Sequence, residues 1–504
     1  MAITGVRWRA LSAGLALLLA ACSGAGAPGG SGPASSLLPS SSPPGSAGRP
    51  GGAAGPWTVA AENALPGSPD WPISAPGATE EIQGFADHAG VRPGAPVGMF
   101  VSTTASSFTV RAYRFGWYGG ARARLVWSSP PVPGVRQPAA VVHARGTAVA
   151  PWQRSLSVPT DGWPPGSYLL RLDAASGGHR WVPLTVESPS VAGTVVLLQA
   201  VTSYQAYNTW GGANLYTGPD GSAATRARAV SFDRPYQDQD GAADYFTLEQ
   251  PLVAFAERLG LPLGYRTGLD LDQDPQSLAG AAAVVSEGHD EYWSPAMRAT
   301  LTAARDHGSN LAFLGANAIY RRIRFEGSAL GADRVEVNYK VPQEDPLYGK
   351  DDARVTGNWP DPPDADPQSA LTGQAYACYT ATDGPLVVAD PTHWIWAGTG
   401  VRAGQQLAGL VGPEADHLDA GNPAPAPLAV LAHSPLACAF GPATTADTTY
   451  YTAPSRAGVF DAGTENWICA LRSDSCPGVP DGDRQAVQMA TANLLRKFAA
   501  GPSD

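Results

Sequence analysis

The run Gly193-Thr194-Val195-Val196-Leu197-Leu198 opens the part of the chain whose pattern decides the fold. Two further apolar runs follow it, Ala281 to Val285 and Leu311 to Leu314. Short apolar runs bounded by turn residues are typical of buried strands, and strands that alternate with helical segments indicate a parallel sheet covered by helices. We therefore predict an α/β fold over residues 188–504, with a mainly parallel sheet and flanking helices.

Helical spacing of apolar residues marks three segments of this region. They are Glu249 to Leu259, Met297 to His307 and Asp483 to Ala499. An amphipathic pattern of this kind predicts a helix with one face on the core.

Residues 57–187 have a different pattern. Short alternating runs, such as Ser107 to Tyr113 and Tyr168 to Leu172, are separated by proline and glycine clusters. Alternation with a period of two predicts strands that are buried on one side. The fold predicted here is an N-terminal antiparallel β-sandwich that precedes the α/β domain.

The N-terminus has the pattern of an export signal. Arg7 and Arg9 precede an apolar run from Leu11 to Ala21, and Leu19-Ala20-Ala21-Cys22 resembles a bacterial lipobox. We predict that residues 1–21 are a lipoprotein signal peptide. Cys22 would then be acylated and anchor the protein to membrane lipid, on the extracytoplasmic side of the cell membrane.

Residues 22–56 consist almost entirely of glycine, serine, alanine and proline. A segment of this composition buries too little apolar surface to fold, and we predict a disordered linker.

Charge and cysteine content narrow the classes of function. The formal net charge of the 504 residues is −11, without a run of basic residues, and this argues against a nucleic-acid partner.

Four cysteines follow Cys22, and their spacing does not match a zinc site. An even number of cysteines in an exported protein indicates disulfides. We expect the pairs Cys469–Cys476 and Cys378–Cys438.

Polar loops follow the three predicted strands of the α/β region. They are Ser203 to Gly212, Ser286 to Ser294 and Gly315-Ala316-Asn317. Ligands bind at the carboxyl ends of the strands in parallel sheets, so these loops are expected to converge on one pocket.

Each candidate residue also has a purely structural interpretation. His289, Asp290 and Glu291 could act as acid, base or metal ligands, but a helix start also favours acidic residues such as Asp290. Asn317 could complete a turn. The remaining candidates could be core aromatics or a surface acid: Tyr204, Tyr207 and Glu414. Gly-x-Ser-x-Gly and His-Glu-x-x-His motifs are absent from the sequence, and this argues against the usual serine hydrolases and zinc proteases.

Seven motifs occur in a fixed order between about residue 80 and residue 500. They are Tyr113 to Gly120, Pro165 to Tyr168, Ala206 to Asn208, Gly288 to Trp293, Gly315 to Asn317, Gly412 to Asp416, and Val459 to Thr464. In these motifs the chain resembles the large (beta) subunit of N,N-dimethylformamidase in its C-terminal domain.

The resemblance implies an amidohydrolase with one mononuclear ferric ion, Fe(III), held by two tyrosines and one glutamate. Glu291 would be the carboxylate ligand and Tyr207 one phenolate, with Tyr168 as the second phenolate and Tyr204 as the alternative. Ferric iron binds anionic oxygen ligands well. His289, Asn317 and Glu414 would surround the ion as catalytic groups.

The function implied is that of an exported, iron-dependent hydrolase of amide-like C–N bonds in an unknown small-molecule substrate. The lipoprotein pattern sets this chain apart from the characterised enzyme, so dimethylformamide is not the expected substrate and the small partner subunit is not assumed. The alternative is a catalytically silent cell-envelope binding protein on the same fold.

Overall fold

A seven-stranded mixed sheet lies at the centre of the structure, a computed structural model that describes residues 57–503. Its first five strands run parallel to their neighbours, and the last two are antiparallel. In spatial order the strands are Leu263–Thr267, Val195–Gln199, Ala283–Gly288, Asn310–Gly315, Gly458–Asp461, Thr444–Thr452 and Leu428–Leu436.

Continuous apolar runs occupy the middle of this sheet because both of its faces are covered. Along Val195–Gln199, Val195 and Leu197 belong to one apolar core, whereas Val196 and Leu198 belong to another on the opposite face. The segments with helical spacing form the helices Gln250–Arg258, Pro295–Asp306 and Asp481–Ala499.

Two further sheets face each other across an apolar core in the N-terminal part of the described chain. The first contains Ile82–Ala86, Val97–Thr103 and Leu156–Val158. The second contains Gly90–Val91, His179–Val186, Gly166–Ala174, Ser107–Phe115, Ala123–Ser128 and Val132–Pro133.

Short sheets and helices make up much of the rest. The remaining strands are Val141–Val142, Ala148–Val149, Ala229–Ser231, Tyr292–Trp293, Arg321–Arg322, Arg324–Ser328, Gly331–Val337, Gly357–Asn358, Ala375–Tyr379, Gly384–Val387, Gln406–Val411 and Glu414–His417. The other α-helices are Val59–Asn63, Val201–Tyr207, Gly268–Gln273, Ser369–Thr372 and Asn466–Ala470, and Tyr245–Glu249 is a π-helical turn.

The predicted fold class is therefore wrong. Residues 57–503 contain 28 strands in several mixed and antiparallel sheets, so the fold is mostly β and not a mainly parallel α/β domain. The prediction rested on the longest apolar runs, which belong to a sheet that is covered on both faces. Strands of two to five residues beyond Asn317 have too few residues to show a period, and the sequence pattern missed them.

Contacts join Trp57–Asp504 into one compact unit, and the predicted boundary near residue 187 stays a prediction.

The predicted signal peptide, Cys22 and the linker over residues 22–56 lie outside the described residues. Within the part that the structure describes, helices long and apolar enough to cross a membrane are absent.

Both predicted disulfides are confirmed. Cys378 is bonded to Cys438, and Cys469 is bonded to Cys476. Disulfides persist in oxidising compartments, so these two suggest an extracytoplasmic protein.

A buried ion pair connects the N-terminal sheets to the central part. Arg114 lies at the end of strand Ser107–Phe115, and its guanidinium contacts the Glu257 carboxylate at 2.5 and 3.2 Å. Both side chains are fully buried. A Cβ atom on Gly116 would lie 1.9 Å from a Glu257 oxygen, so glycine at this position lets the helix come close. This contact explains much of the motif from Tyr113 to Gly120.

Candidate functional site

The loops after neighbouring parallel strands meet at one edge of the central sheet. His289 follows strand Ala283–Gly288, Asn317 follows Asn310–Gly315, and Tyr207 ends the short helix after Val195–Gln199. A Cβ atom on Gly315 would lie only 1.7 Å from the Gly288 carbonyl oxygen, so the absence of a side chain lets the ends of these two strands pair closely.

Three oxygen atoms form a closed triangle in this pocket. Tyr207 Oη lies 2.8 Å from Tyr216 Oη and 2.8 Å from Glu291 Oε2, and Tyr216 Oη lies 2.7 Å from the same carboxylate oxygen. The two phenol rings are stacked with centroids 4.5 Å apart. Burial and the charge of Glu291 raise the pKa of both phenols well above its ordinary value, so they donate to the carboxylate.

Positive charges keep Glu291 ionised. Arg321 Nε donates to Glu291 Oε1 at 3.0 Å, and Glu291 is fully buried. Burial by itself would raise the pKa of Glu291, but the charges of Arg321 and then His289 outweigh it and lower the pKa to about 2. A buried anionic carboxylate is therefore available beside the two phenols.

Lys340 covers the outer side of Tyr216. Its Nζ atom lies 3.3 Å from the centroid of the Tyr216 ring and donates to Tyr292 Oη at 2.8 Å. Burial, and then the charge of Arg321, bring the pKa of Lys340 well below its usual value.

His289 lies between carboxylates on both edges of its ring. Nε2 is 3.2 Å from Glu414 Oε2 and 3.6 Å from Glu291 Oε2, whereas Nδ1 is 3.6 Å from Glu465 Oε1. Burial alone would lower the pKa of His289, but the charges of Glu465, Glu414 and Glu291 outweigh it and raise the pKa well above its ordinary value. Burial also raises the pKa of Glu465, and the charge of His289 opposes that shift.

Asn317 connects His289 to Glu414. Its side-chain amide donates to Glu414 Oε2 at 2.6 Å and lies 3.5 Å from His289 Nε2. The backbone N–H of Asn317 donates to the Asp416 carboxylate, and its φ of 58° falls in the left-handed region that asparagine tolerates. Asn317 Oδ1 is buried without a hydrogen-bond partner among the described residues.

Five of the six residues predicted for catalysis or metal binding lie together: Tyr207, His289, Glu291, Asn317 and Glu414. Tyr168 is elsewhere, because its ring stacks on Trp163 in the N-terminal core and its hydroxyl donates to the Pro164 carbonyl at 2.7 Å. The alternative, Tyr204, packs edge-on against Tyr236. The second phenol that faces Glu291 is Tyr216.

Sequence reasoning missed four side chains of the site: Tyr216, Arg321, Lys340 and Glu465. The turn that returns Tyr216 to Tyr207 depends on Asn214, which donates to the Tyr207 carbonyl and accepts from the Tyr216 N–H. The sequence feature that could have indicated this turn is Asn214, which lies between Tyr207 and Tyr216. Glu465 directly follows the motif that ends at Thr464.

Two groups of side chains could hold a metal ion. Ligand atoms of His289, Glu414 and Glu465 all lie within 4.8 Å of one another. This first group mixes nitrogen and oxygen donors. The second group consists of Tyr207, Tyr216 and Glu291, which offer only oxygen atoms and therefore suit a hard cation.

Comparison with known proteins gives one family. Residues 109–481 match the family described as N,N-dimethylformamidase beta subunit-like, C-terminal. The curated proteins contain no match to this chain.

Among solved structures, a cycloisomaltooligosaccharide glucanotransferase of Paenibacillus sp., complexed with cycloisomaltoheptaose, is similar at 12% sequence identity and a TM-score of 0.15. The match covers 51% of this chain and 33% of that one, so the chain spans about a third of the length of that structure. A likeness at this level supports no conclusion about fold or activity.

Proposed function

The chain belongs to the N,N-dimethylformamidase beta subunit-like, C-terminal family, and from this membership we propose that it is an iron-dependent hydrolase of amide-like C–N bonds. The family suggests a hydrolase that acts on amides. The single observation that carries the iron is the oxygen triangle of Tyr207, Tyr216 and Glu291.

The donor set fits a small, hard cation. Two oxygens that lie about 2.0 Å from one ion, at right angles to each other, are about 2.8 Å apart. The three oxygens are spaced by 2.7 to 2.8 Å. Two phenols and one carboxylate would supply three negative charges once the phenols lose their protons, which matches a ferric ion.

A ferric ion held by these residues would supply a Lewis acid that polarises an amide carbonyl. The chain's own residues would complete the reaction. Glu414, next to His289 and Asn317, would accept a proton from the attacking water. The unpartnered Oδ1 atom of Asn317 can accept a hydrogen bond from the substrate N–H, which orients the amide in the pocket.

His289 would supply the proton that the leaving amine needs. Nε2 faces Glu414 at 3.2 Å, and the surrounding carboxylates favour the protonated ring. When the C–N bond breaks, the amine nitrogen takes a proton from this position and the hydroxyl group derived from water stays on the acyl carbon. Glu414 would thus act as the base when water attacks, and the adjacent His289 would act as the acid when the amine leaves.

We expect Glu414→Gln to keep the bound iron and to lower the rate of hydrolysis about 10²- to 10⁴-fold, because it removes a base and leaves the oxygen triangle intact. The measurement is release of free amine from a panel of small formamides, acetamides and aromatic amides, with iron content determined on the same samples.

The matched control is Glu344→Gln, which neutralises an acid that pairs with Arg226 and Arg228 outside the pocket. If Glu414→Gln hydrolyses the panel as fast as the wild type, the assignment of the base is wrong. If the wild type releases no amine from any member, the alternative of an envelope-binding protein without catalysis is favoured.

For the location of the protein, we propose a lipid anchor at Cys22, which the lipobox pattern supports. Cys22→Ser is expected to move the protein from the membrane fraction to the soluble fraction, because the acyl chains supply the membrane affinity. Fractionation followed by immunodetection measures this, with Ser23→Ala as a control that keeps the cysteine. A Cys22→Ser protein that stays in the membrane fraction would rule out the anchor.

A further inference from the structure

Glu465 is a buried acid that the proposed reaction does not use. It directly follows the motif Val459 to Thr464, which the oxygen triangle and the proposed proton transfers leave without a role. Its carboxylate faces the Nδ1 edge of His289, with Oε1 at 3.6 Å. In the described part of the chain, no other acid lies within ion-pair distance of this nitrogen.

The backbone fixes Glu465 relative to Glu414. The Glu465 N–H approaches the Glu414 carbonyl at 3.4 Å, and Ala415 and Thr464 form an isolated antiparallel bridge. The side-chain hydroxyl of Thr464 donates to the carbonyls of Leu410 and Gly412. The two glutamates therefore stand on neighbouring segments, and an oxygen of each lies within 4.8 Å of the other and of a ring nitrogen of His289.

The two ring nitrogens have separate neighbours. Nε2 faces Glu414, Glu291 and the Asn317 amide at 3.2, 3.6 and 3.5 Å, whereas Nδ1 faces Glu465. A rotation of the ring by half a turn about the Cβ–Cγ bond would put the Cδ2–H group in the place of Nδ1 and the Cε1–H group in the place of Nε2, so the contacts of both nitrogens would be lost. A carboxylate on the Nδ1 side resists that rotation, as outer partners do for histidines that bind metals or act as bases.

We propose that Glu465 is a positioning residue for His289, whose carboxylate holds the Nδ1 edge so that Nε2 stays directed at Glu414 and Asn317. Its role in turnover rests on the proposed amide hydrolysis, but the orientation of the ring does not.

The activity arm of the test compares three substitutions. Glu465→Leu is expected to lower kcat about 10²-fold with KM changed less than about threefold, because a ring that is free to turn misplaces Nε2 in every step after binding. Glu465→Gln keeps the shape and an oxygen acceptor and should lose less, and Glu465→Asp should recover part of the rate. The substrate is the amide of the panel with the highest wild-type rate.

A second arm needs no substrate. The metal-free protein is labelled with ¹⁵N-histidine, and the signals of His289 among the eight histidines are assigned with His289→Gln. The Nδ1 signal of His289 should shift strongly in Glu465→Leu and less in Glu465→Gln. The control is Asp173→Asn, which alters a similar pair with His179 (2.6 Å) in the N-terminal sheets and should leave the His289 signals and kcat unchanged.

The two arms separate the two proposals. An Nδ1 signal that is the same in wild type, Glu465→Gln and Glu465→Leu would overturn the positioning role, whatever the activity. Absence of turnover in the wild type together with a shifted Nδ1 signal would overturn amide hydrolysis and leave the ring orientation supported.

Discussion

Tyr216→Phe is expected to abolish ferric binding, while Tyr168→Phe leaves it intact. Tyr216 Oη lies within 2.8 Å of both Glu291 oxygens, whereas Tyr168 is held by the Pro164 carbonyl in a different core. Loss of one anionic ligand leaves the ion with a single phenolate and one carboxylate. Amide hydrolysis should fall about 10³-fold or more, because the loss of several kcal/mol of Lewis-acid stabilisation corresponds to such a factor.

Elemental analysis of the purified variants and amine release from the panel measure both effects. Tyr168→Phe is a matched control, since it also removes one buried phenol hydroxyl, and its activity should stay within about threefold of the wild type. Iron content that drops in Tyr168→Phe and persists in Tyr216→Phe would show that the ligand set proposed here is wrong.

Glu257→Gln is expected to destabilise the protein by about 3–5 kcal/mol, which is the usual effect of removing one partner from a buried ion pair. The substitution leaves the Arg114 guanidinium fully buried without its carboxylate. It also weakens the acceptors for the Tyr265 hydroxyl at 2.5 Å and the Asn63 amide at 3.0 Å. Unfolding in guanidinium chloride, followed by circular dichroism, gives the difference in the free energy of unfolding.

Two further variants test the cause of this effect. Asp351→Asn breaks the ion pair with Arg354, in which both side chains are largely exposed, and should cost less than about 1 kcal/mol. The double variant Arg114→Met with Glu257→Leu should recover much of the loss, because it removes both charges. A Glu257→Gln protein as stable as the wild type would mean that this pair does not hold the N-terminal sheets to the central part.

The convergence of the loops at the candidate site could be predicted from the sequence because it follows from the sheet. The carboxyl ends of adjacent parallel strands lie at one edge, so His289, Glu291 and Asn317 had to come close once their strands were recognised. The strand pattern was clear there because residues on both faces of these strands are buried. The motifs shared with the family then identified Tyr207 and Glu414.

The second tyrosine could not be predicted in the same way. Spacing from Tyr207 favours Tyr168, but Tyr168 lies on the face of strand Gly166–Ala174 that packs into the N-terminal core. Tyr216 lies in a loop without a periodic pattern, and its position depends on hydrogen bonds of Asn214 that exist only in the folded chain. The fold class failed for a related reason, since the many two-residue strands are defined by pairing and not by local sequence.

The visible absorption spectrum of the wild-type protein during titration with a ferric salt tests the central claim most directly. Two phenolates on one ferric ion should produce a charge-transfer band that saturates at one iron per chain and is lost in Glu291→Ala. A protein that stays colourless and iron-free after ferric loading, with its fold intact by circular dichroism, would contradict a ferric centre at Tyr207, Tyr216 and Glu291.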